Sequence, residues 1–303
     1  MRRPGIALLV VLWVLSVAAV LTLTAVLGGR SGVDAAQNRM DATEARFAVS
    51  GCAALTLAQL DQRLLESPAG RLRETEWDHL DLGLATLGPP VDDCRRTLRS
   101  GGARLNVNRA GLEGLHRMVL LAVPETEARA LASAIEDWRD SDDEPNPRGA
   151  ERDWYLARRL SLPTNQDFRS TGELLRVRAM GDHPELLPDL DVEGTTVDIM
   201  HASAVVLASL PGISPRLAAA IVARRRDGWR PSSVTELAAL VPSADAPDFG
   251  ARFVDLSRIA RVGPETWILT VSASAGASRT ERSEELTVTL TSSGLTPIRR
   301  RVW

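Results

Sequence analysis

The sequence has few of the residues and motifs from which catalytic sites are usually built. It contains only two cysteines and four histidines among 303 residues. It has no G-x-S-x-G, Walker loop or zinc ligand set, and the histidines share no spacing with acids or a nucleophile. The net charge is −3, so no global positive field attracts nucleic acid. These absences argue against an enzyme and against a generally basic nucleic-acid-binding protein.

Charge, glycine and proline are all absent from the run Ile6–Leu27. A helix of this length extends about 33 Å, which is enough to cross the hydrocarbon core of a bilayer. Arg2 and Arg3 precede it, so the positive-inside rule puts the N-terminus in the cytoplasm. Pro4 predicts a break that holds Gly5 in a non-helical conformation. Three alternatives are open: a cleaved secretory signal, an uncleaved anchor, or a prepilin-like leader.

A second helical pattern follows three glycines at positions 28, 29 and 32. Over Val33–Leu65 apolar residues recur at the spacing of one helix face. The predicted face consists of Ala45, Val49, Cys52, Leu55, Ala58 and Leu60. We therefore predict one long helix whose distal half packs on a folded domain. Cys52 and Cys94 would lie together beyond the membrane in an oxidising compartment, which favours a disulfide over two unpaired thiols.

Two segments of the chain resemble each other at an offset of 92 residues. Leu105 matches Val197 and Ala110 matches Ala202, and each segment leads into a helix with a Leu/Ala/Ile face. This pattern predicts two related units in an α-helical region over roughly 105–255. The end of the chain changes to a period of two, which predicts a three-stranded antiparallel meander that packs on the long helix.

The densest chemistry lies between Asp137 and Tyr155, where seven carboxylates fall in a loop that contains two prolines and a glycine. Such a loop repels itself unless a cation neutralises it, and hard oxygen ligands suit Ca²⁺. It is not an EF-hand, because the invariant glycine and terminal glutamate are out of register. A solvated acidic turn is the alternative.

The run Leu210–Arg226 looks like a helix-hairpin-helix. In DNA-binding versions a second hairpin glycine brings backbone N–H groups to a phosphate. Ser214 stands in that place and Pro215 lacks a donor. Arg224, Arg225 and Arg226 complement the helix dipole at the far end without contacting anything. A packing unit is therefore favoured over a DNA-binding one.

These features together resemble one family, the type II secretion system minor pseudopilin K (general secretion pathway protein K). The leader Gly5-Ile6-Ala7-Leu8-Leu9 matches it, as does Leu105-Asn-Val-Asn-Arg-Ala110. The most specific match runs from Asp137-Trp-Arg-Asp140 through Gly149-Ala-Glu151 to Trp154-Tyr155. It continues with Pro163-Thr-Asn165, Phe168 and Glu173-Leu174.

The resemblance implies an α+β fold: a transmembrane and amphipathic helix, a pilin-like antiparallel sheet, and a large inserted helical domain. It implies a leader over 1–5, a span over 6–27, a first pilin-like part over 28–104, an insert over 105–258 and a closing meander over 259–303. It also implies structural calcium in the insert. The candidate ligands are Asp137, Asp140, Asp142, Asp143, Glu151 and Asp153.

The family further implies a structural protein rather than an enzyme. A prepilin peptidase would cut between Gly5 and Ile6, with N-methylation of Ile6. The chain would stay in the inner membrane with its C-terminal domain in the periplasm. Its partners would be the I- and J-type minor pseudopilins and the major pseudopilin, and not nucleic acid. Most pilins carry a glutamate where this chain has Val10, and its absence suits a subunit at the tip of the fibre. The alternative is a membrane-anchored, competence-type DNA receptor.

Overall fold

The computed structural model describes residues 4–66, 76–87, 94–275 and 280–303, without the side chains of residues 4–8, 25–31, 86 and 275. The described residues form α-helices and an antiparallel β-sheet, as expected for an α+β fold. The helices are α1 (Pro4–Glu66), α2 (Leu80–Thr86), α3 (Leu112–Leu120), α4 (Glu125–Arg139), α5 (Arg152–Leu156), α6 (Ala204–Ala208), α7 (Pro215–Arg226) and α8 (Ala246–Ile259). The strands are β1 (Cys94–Ser100), β2 (Leu105–Asn106), β3 (Leu190–Asp191), β4 (Val197–Asp198), β5 (Ala260–Arg261), β6 (Trp267–Ala275), β7 (Thr280–Thr291) and β8 (Gly294–Val302).

Helix α1 runs without interruption from Pro4 to Glu66. The predicted break at Gly5 is wrong, because a proline in the first helical turn removes an N–H that has no partner inside the helix anyway. The helix also continues through Gly32. The predicted cleavage point between Gly5 and Ile6 falls outside the residues whose side chains are described.

The predicted membrane span overlaps positions without described side chains. Within the described part of the chain, no helix is both long and apolar enough to span a membrane. Residues 9–24 are the described part of the predicted span, and all of them are exposed. The span over residues 6–27 stays a prediction.

A four-stranded antiparallel sheet, in the order β1-β6-β7-β8, packs against the distal half of α1. Its core joins Leu60 and Leu64 of α1 to Trp267, Leu269 and Val288 of the sheet. The predicted meander is confirmed as β6, β7 and β8. Strand β1 was not predicted, because its sequence Cys-Arg-Arg-Thr-Leu-Arg-Ser lies at the sheet edge and has little apolar alternation.

The buried face of α1 differs in part from the predicted one. Leu55 is 42% exposed and Ala58 is exposed, while Ala53, Thr56 and Leu64 are buried in their place. The true stripe follows the 3.6-residue period more closely than the predicted one, which was drawn from apolar residues alone. Thr56 can be buried because its hydroxyl donates to the carbonyl of Cys52 at 2.8 Å.

Two carboxylates, one buried and one half-buried, also hold α1 to the sheet. Glu284 of β7 is 1% exposed. It lies 2.8 Å from the guanidinium of Arg300, and it accepts a hydrogen bond from Ser50 of α1 at 3.1 Å. Asp61 accepts from the backbone N–H of Leu295 at 2.8 Å. A Cβ on Gly294, whose φ is +114°, would lie 2.2 Å from Asp61, so this turn needs glycine.

Residues 101–266 form an insert between two neighbouring strands, because Ser100 at the end of β1 pairs with Trp267 at the start of β6. The insert has its own core, built around α3, α4, α6 and α7. The expectation of an α-helical region over roughly 105–255 is corrected in one respect. Two short parallel ladders, β2 with β3 and β4 with β5, join segments of the insert that are distant in sequence.

Cys52 of α1 and Cys94 of β1 are joined by a disulfide, with Cα atoms 6.3 Å apart. This separation lies within the usual range for disulfides, and the bridge links the long helix to the edge strand of the sheet.

Replacing both cysteines by serine should destabilise the pilin-like part, which is α1 and the four-stranded sheet with α2. The bridge closes a segment with a sequence separation of 42, so chain entropy sets the expected loss at about 3–4 kcal/mol of unfolding free energy. Denaturant unfolding of the purified chain, with and without a reductant, measures it. The reductant should lower the stability of the original chain and leave that of the double variant unchanged. Equal stability of the two proteins without reductant would contradict the bridge.

Candidate cation site in the inserted domain

Helix α4 delivers the first two carboxylates of the acidic loop. It spans Glu125–Arg139 and places Asp137 in its last turn, with Asp140 as the residue that ends it in an extended conformation. Asn146 lies between the two prolines that prevent the helix from continuing. The loop therefore folds back over the end of α4 and brings Glu151 to the same place.

Asp137 is the buried centre of this loop, with no exposed surface. Its Oδ1 accepts from the backbone N–H of Asn146 at 3.0 Å and from the side-chain amide of Asn146 at 2.6 Å. Its Oδ2 accepts from the backbone N–H of Ala150 at 2.6 Å. A buried carboxylate with three donors is well compensated, so Asp137 fixes the shape of the loop.

Gly149 is the position at which the loop passes closest to Asp137. A Cβ on this residue would lie 1.9 Å from Oδ2 of Asp137 and 3.0 Å from the carbonyl oxygen of Asn146. No side chain fits in this space, which accounts for the glycine in the predicted motif.

Asp140 and Glu151 each supply one oxygen that no donor of the described residues satisfies. Within the described residues, Oδ1 of Asp140 and Oε1 of Glu151 are buried and lack a hydrogen-bond partner. One oxygen from each of Asp137, Asp140 and Glu151 lies within 4.8 Å of the others. Carboxylate oxygens that converge in this way, without donors, suit a hard cation such as Ca²⁺.

The electrostatics of the loop agree with this geometry. Burial, followed by the negative charges of Asp142 and Asp137, raises the pKa of Asp140 to about 6. Burial and the charges of Asp137 and Asp140 likewise raise the pKa of Glu151 to about 7. Three ionised carboxylates this close together repel each other, and a bound proton or cation lowers their electrostatic energy.

The other three predicted ligands lie outside this group. Asp142 accepts from the backbone N–H of Glu144 at 2.8 Å, and Asp143 accepts from the side-chain amide of Asn165 at 3.2 Å. Asp153 is exposed in the first turn of α5. Sequence alone did not separate the two sets, because every carboxylate of the loop falls in one short run.

The aromatic residues of the predicted motif form the wall behind the carboxylates. Trp138 packs edge-on against Tyr155, with ring centroids 5.3 Å apart, and stacks on Phe168 at 6.4 Å. The indole N–H of Trp138 donates to Glu173 at 3.2 Å. Asn165 donates its backbone N–H to the carbonyl of Trp138 at 3.1 Å. The motif is thus one packed unit that supports the loop.

The two related segments of the insert contain equivalent pairs of hydrogen bonds. Arg139, at the end of α4, donates to the carbonyls of Val107 and Ala110. Arg225, at the end of α7, donates to Ile199 at 2.5 Å and to Ala202 at 2.8 Å, the residues that match Val107 and Ala110. The expectation that Arg225 contacts nothing is therefore wrong. Its role could have been found by comparing the last helical turns of the two segments.

The hairpin before α7 packs against α8 and is not exposed for a ligand. Gly212 has φ +70°, and a Cβ there would lie 3.1 Å from the Cα of Phe249. Ser214 caps α7 by accepting from the backbone N–H of Leu217 at 3.1 Å, and its hydroxyl donates to Asp245. The classification of these units as helix-hairpin-helix stays a prediction.

Substitution of Gly149 by alanine should disrupt the acidic loop. The new Cβ must displace either Asp137 or the loop backbone, which should cost about 1–3 kcal/mol of unfolding free energy. Gly250→Ala is the matched control, because Gly250 lies inside α8 with no neighbouring atom within 4 Å of its Cβ position. Thermal unfolding of both variants tests the difference. Equal loss in the two variants would contradict the close packing at Gly149.

Comparison with known proteins finds a similarity over the segment that contains this site. Residues 98–188 match the family model of the type II secretion system protein K, and this range contains the whole acidic loop. The chain also has the fold of a chain from the crystal structure of the GspK-GspI-GspJ complex of the enterotoxigenic Escherichia coli type 2 secretion system. The TM-score is 0.65 at 17% identity, over 88% of this chain and 99% of that one. No curated protein matches the chain. Residues 98–188 are therefore similar to protein K of the type II secretion system, and the chain as a whole shares the fold of the matched GspK-GspI-GspJ complex chain.

Proposed function

We propose that this chain is the minor pseudopilin K of a type II secretion system. It stands at the tip of the pseudopilus with the I- and J-type minor pseudopilins and helps to start fibre assembly. The observation that carries the proposal is a pilin-like helix and sheet with a family-typical domain inserted between adjacent strands. The similar structure is itself a complex with GspI and GspJ, which supports these partners.

The bulk of the insert supports a tip position. Residues 101–266 leave the sheet at its β1–β6 pair and outnumber the residues of the sheet itself. A domain of this size beside α1 would hinder lateral packing of subunits within a fibre, but it is tolerated at the end. The absence of a glutamate at Val10 supports the same position.

The DNA-receptor alternative has no support in the comparisons. Its sequence basis was the arginine run at the end of α7. Arg225 is half-buried and is used inside the insert, while Ser214 and Pro215 occupy the hairpin turn that would have to meet a phosphate. The insert is better understood as a packed structural domain, with no catalytic role.

The leader and the membrane anchor complete the proposal. Residues 1–5 would be removed by a prepilin peptidase, Ile6 would become the methylated N-terminus, and residues 6–27 would hold the chain in the inner membrane. The basic head and the uncharged run support this assignment.

N-terminal sequencing of the membrane-extracted protein tests the leader. We expect the mature chain to begin at Ile6, and we expect Gly5→Ala to leave full-length precursor in the membrane. Gly32→Ala is a suitable control, because Gly32 is helical and has nothing within 4 Å of its Cβ position. A mature chain that begins at Met1 in cells with an active prepilin peptidase would contradict the leader assignment.

Calcium is the cation that the acidic loop fits best. The open oxygens of Asp140 and Glu151 would be direct ligands, and Asp137 would hold the loop around the ion. Ca²⁺ would bind the loop to the end of α4 and replace the missing donors. This is a structural role, and no chemistry at the ion is required.

Calcium should stabilise the protein in a pH-dependent way. The pKa values of Asp140 and Glu151 are raised to about 6 and about 7, so the calcium-free fold holds extra protons and loses stability as pH rises through this window. Calcium competes with these protons and should bind most tightly above pH 7. Thermal unfolding with calcium and with a chelator, at pH 5 and pH 8, measures both effects.

We expect the calcium-dependent rise in melting temperature to be larger at pH 8 than at pH 5 and to vanish in Glu151→Gln. Asp153→Asn is the matched control, since Asp153 lies outside the group, and it should keep the full effect. An unchanged melting temperature on chelation at pH 8 would count against the site.

A further inference from the structure

A second group of metal-ligating side chains lies where the insert meets the pilin-like part. His79 and Asp81 come from the start of α2, and His201 comes from the loop after β4. One ligand atom from each lies within 4.8 Å of the other two. His201 lies far along the chain from His79 and Asp81, which is why their spacing gave no metal motif.

His201 is held in the orientation that a metal ligand needs. Its Nδ1 lies 2.6 Å from Oδ2 of Asp198, a buried carboxylate that also accepts from the hydroxyl of Ser100 at 2.8 Å. When one ring nitrogen is bound to a carboxylate in this way, the other presents its lone pair outward. Nε2 of His201 faces Asp81 and lies 4.0 Å from its Oδ1.

Asp81 has an oxygen that nothing in the described chain satisfies. Its Oδ1 is buried and has no hydrogen-bond donor within the described residues. A buried carboxylate oxygen without a donor is costly, and the distance of 4.0 Å to Nε2 of His201 is too long for a hydrogen bond. Two ligands of one tetrahedral ion would lie about 3.4 Å apart, so a small movement brings this pair into range.

His79 completes the group. Its ring lies beside that of His201, with the two ring centroids 6.3 Å apart. Nε of Arg230 donates to Nε2 of His79 at 3.1 Å. The exposed guanidinium of Arg230 also donates to the carbonyls of Arg225 at 3.1 Å and Trp229 at 2.9 Å. A cation that binds Nε2 of His79 therefore has to displace only the bond from Nε.

We propose that His79, Asp81 and His201 bind a Zn²⁺ ion that clamps the insert to the pilin-like part, with Asp198 orienting His201. Two imidazoles and one carboxylate are a donor set of zinc, whereas calcium takes oxygen ligands. A water would fill the fourth position. The ion would tie α2 to the loop after β4, beside the point where Trp267 begins β6. The ring of Trp267 lies 5.1 Å from that of His201.

The test is metal titration of the full-length, untagged protein in detergent, after chelation and with calcium in excess to keep the acidic loop occupied. Calorimetry with Zn²⁺ measures affinity, and the visible absorption of Co²⁺ reports nitrogen ligands in a tetrahedral site. We expect binding of one ion at micromolar concentration or below. His201→Gln and Asp81→Asn should each weaken it at least tenfold, and Arg230→Gln should strengthen it.

His183→Gln is the matched control, because His183 also lies between two carboxylates, Glu127 and Glu185, but outside this group. It should bind zinc as the original chain does. Unfolding in chelator shows that each variant is folded before titration. Absence of zinc binding at micromolar concentration, or equal affinity in the original chain and His201→Gln, overturns the proposal. Loss of binding in His183→Gln alone would place the ion elsewhere and overturn it too.

Discussion

The pairing of Ser100 with Trp267 is the constraint on which the rest of the structure depends. It makes β1 and β6 neighbours although residues 101–266 separate them. Both ends of the insert must therefore meet at one point, and the insert must fold so that its first and last residues lie side by side. The backbone N–H of Gly101 donates to the carbonyl of Thr266 at 2.7 Å and extends the ladder into the insert. The closure entropy of so long a loop is offset by the separate core that forms within it.

Buried and half-buried carboxylates of the insert fix its position on the sheet. Asp191 lies 2.6 Å from Arg99 of β1, and Glu193 lies 2.7 Å from Arg299 of β8. Glu193 also accepts from the hydroxyl of Thr287 at 2.9 Å. Asp198 joins Ser100 to His201. Removing one member of such a pair leaves an uncompensated charge, so these contacts specify one orientation of the insert more than they add stability.

Local patterns predicted the elements whose period is strong. The meander and the long helix were found because apolar residues recur along them, and the acidic loop was found because its carboxylates are consecutive. Strand β1 was missed because its arginines hide the apolar alternation. Leu55 was wrongly placed on the buried face of α1. Thr56 is buried there instead, because its hydroxyl donates a hydrogen bond to the carbonyl of Cys52. Which carboxylate oxygens of the acidic loop accept hydrogen bonds and which do not depends on where the folded backbone places its N–H groups. No sequence pattern contains that information.

The central claim is that this chain joins I- and J-type minor pseudopilins at the tip of a fibre. Its most direct test is co-expression of the full-length chain with the I- and J-type minor pseudopilins of the same organism, followed by detergent extraction and purification through one partner. The account predicts that all three remain together through size-exclusion chromatography. It would be contradicted if the I- and J-type partners associate with each other while this chain elutes alone, folded and correctly processed.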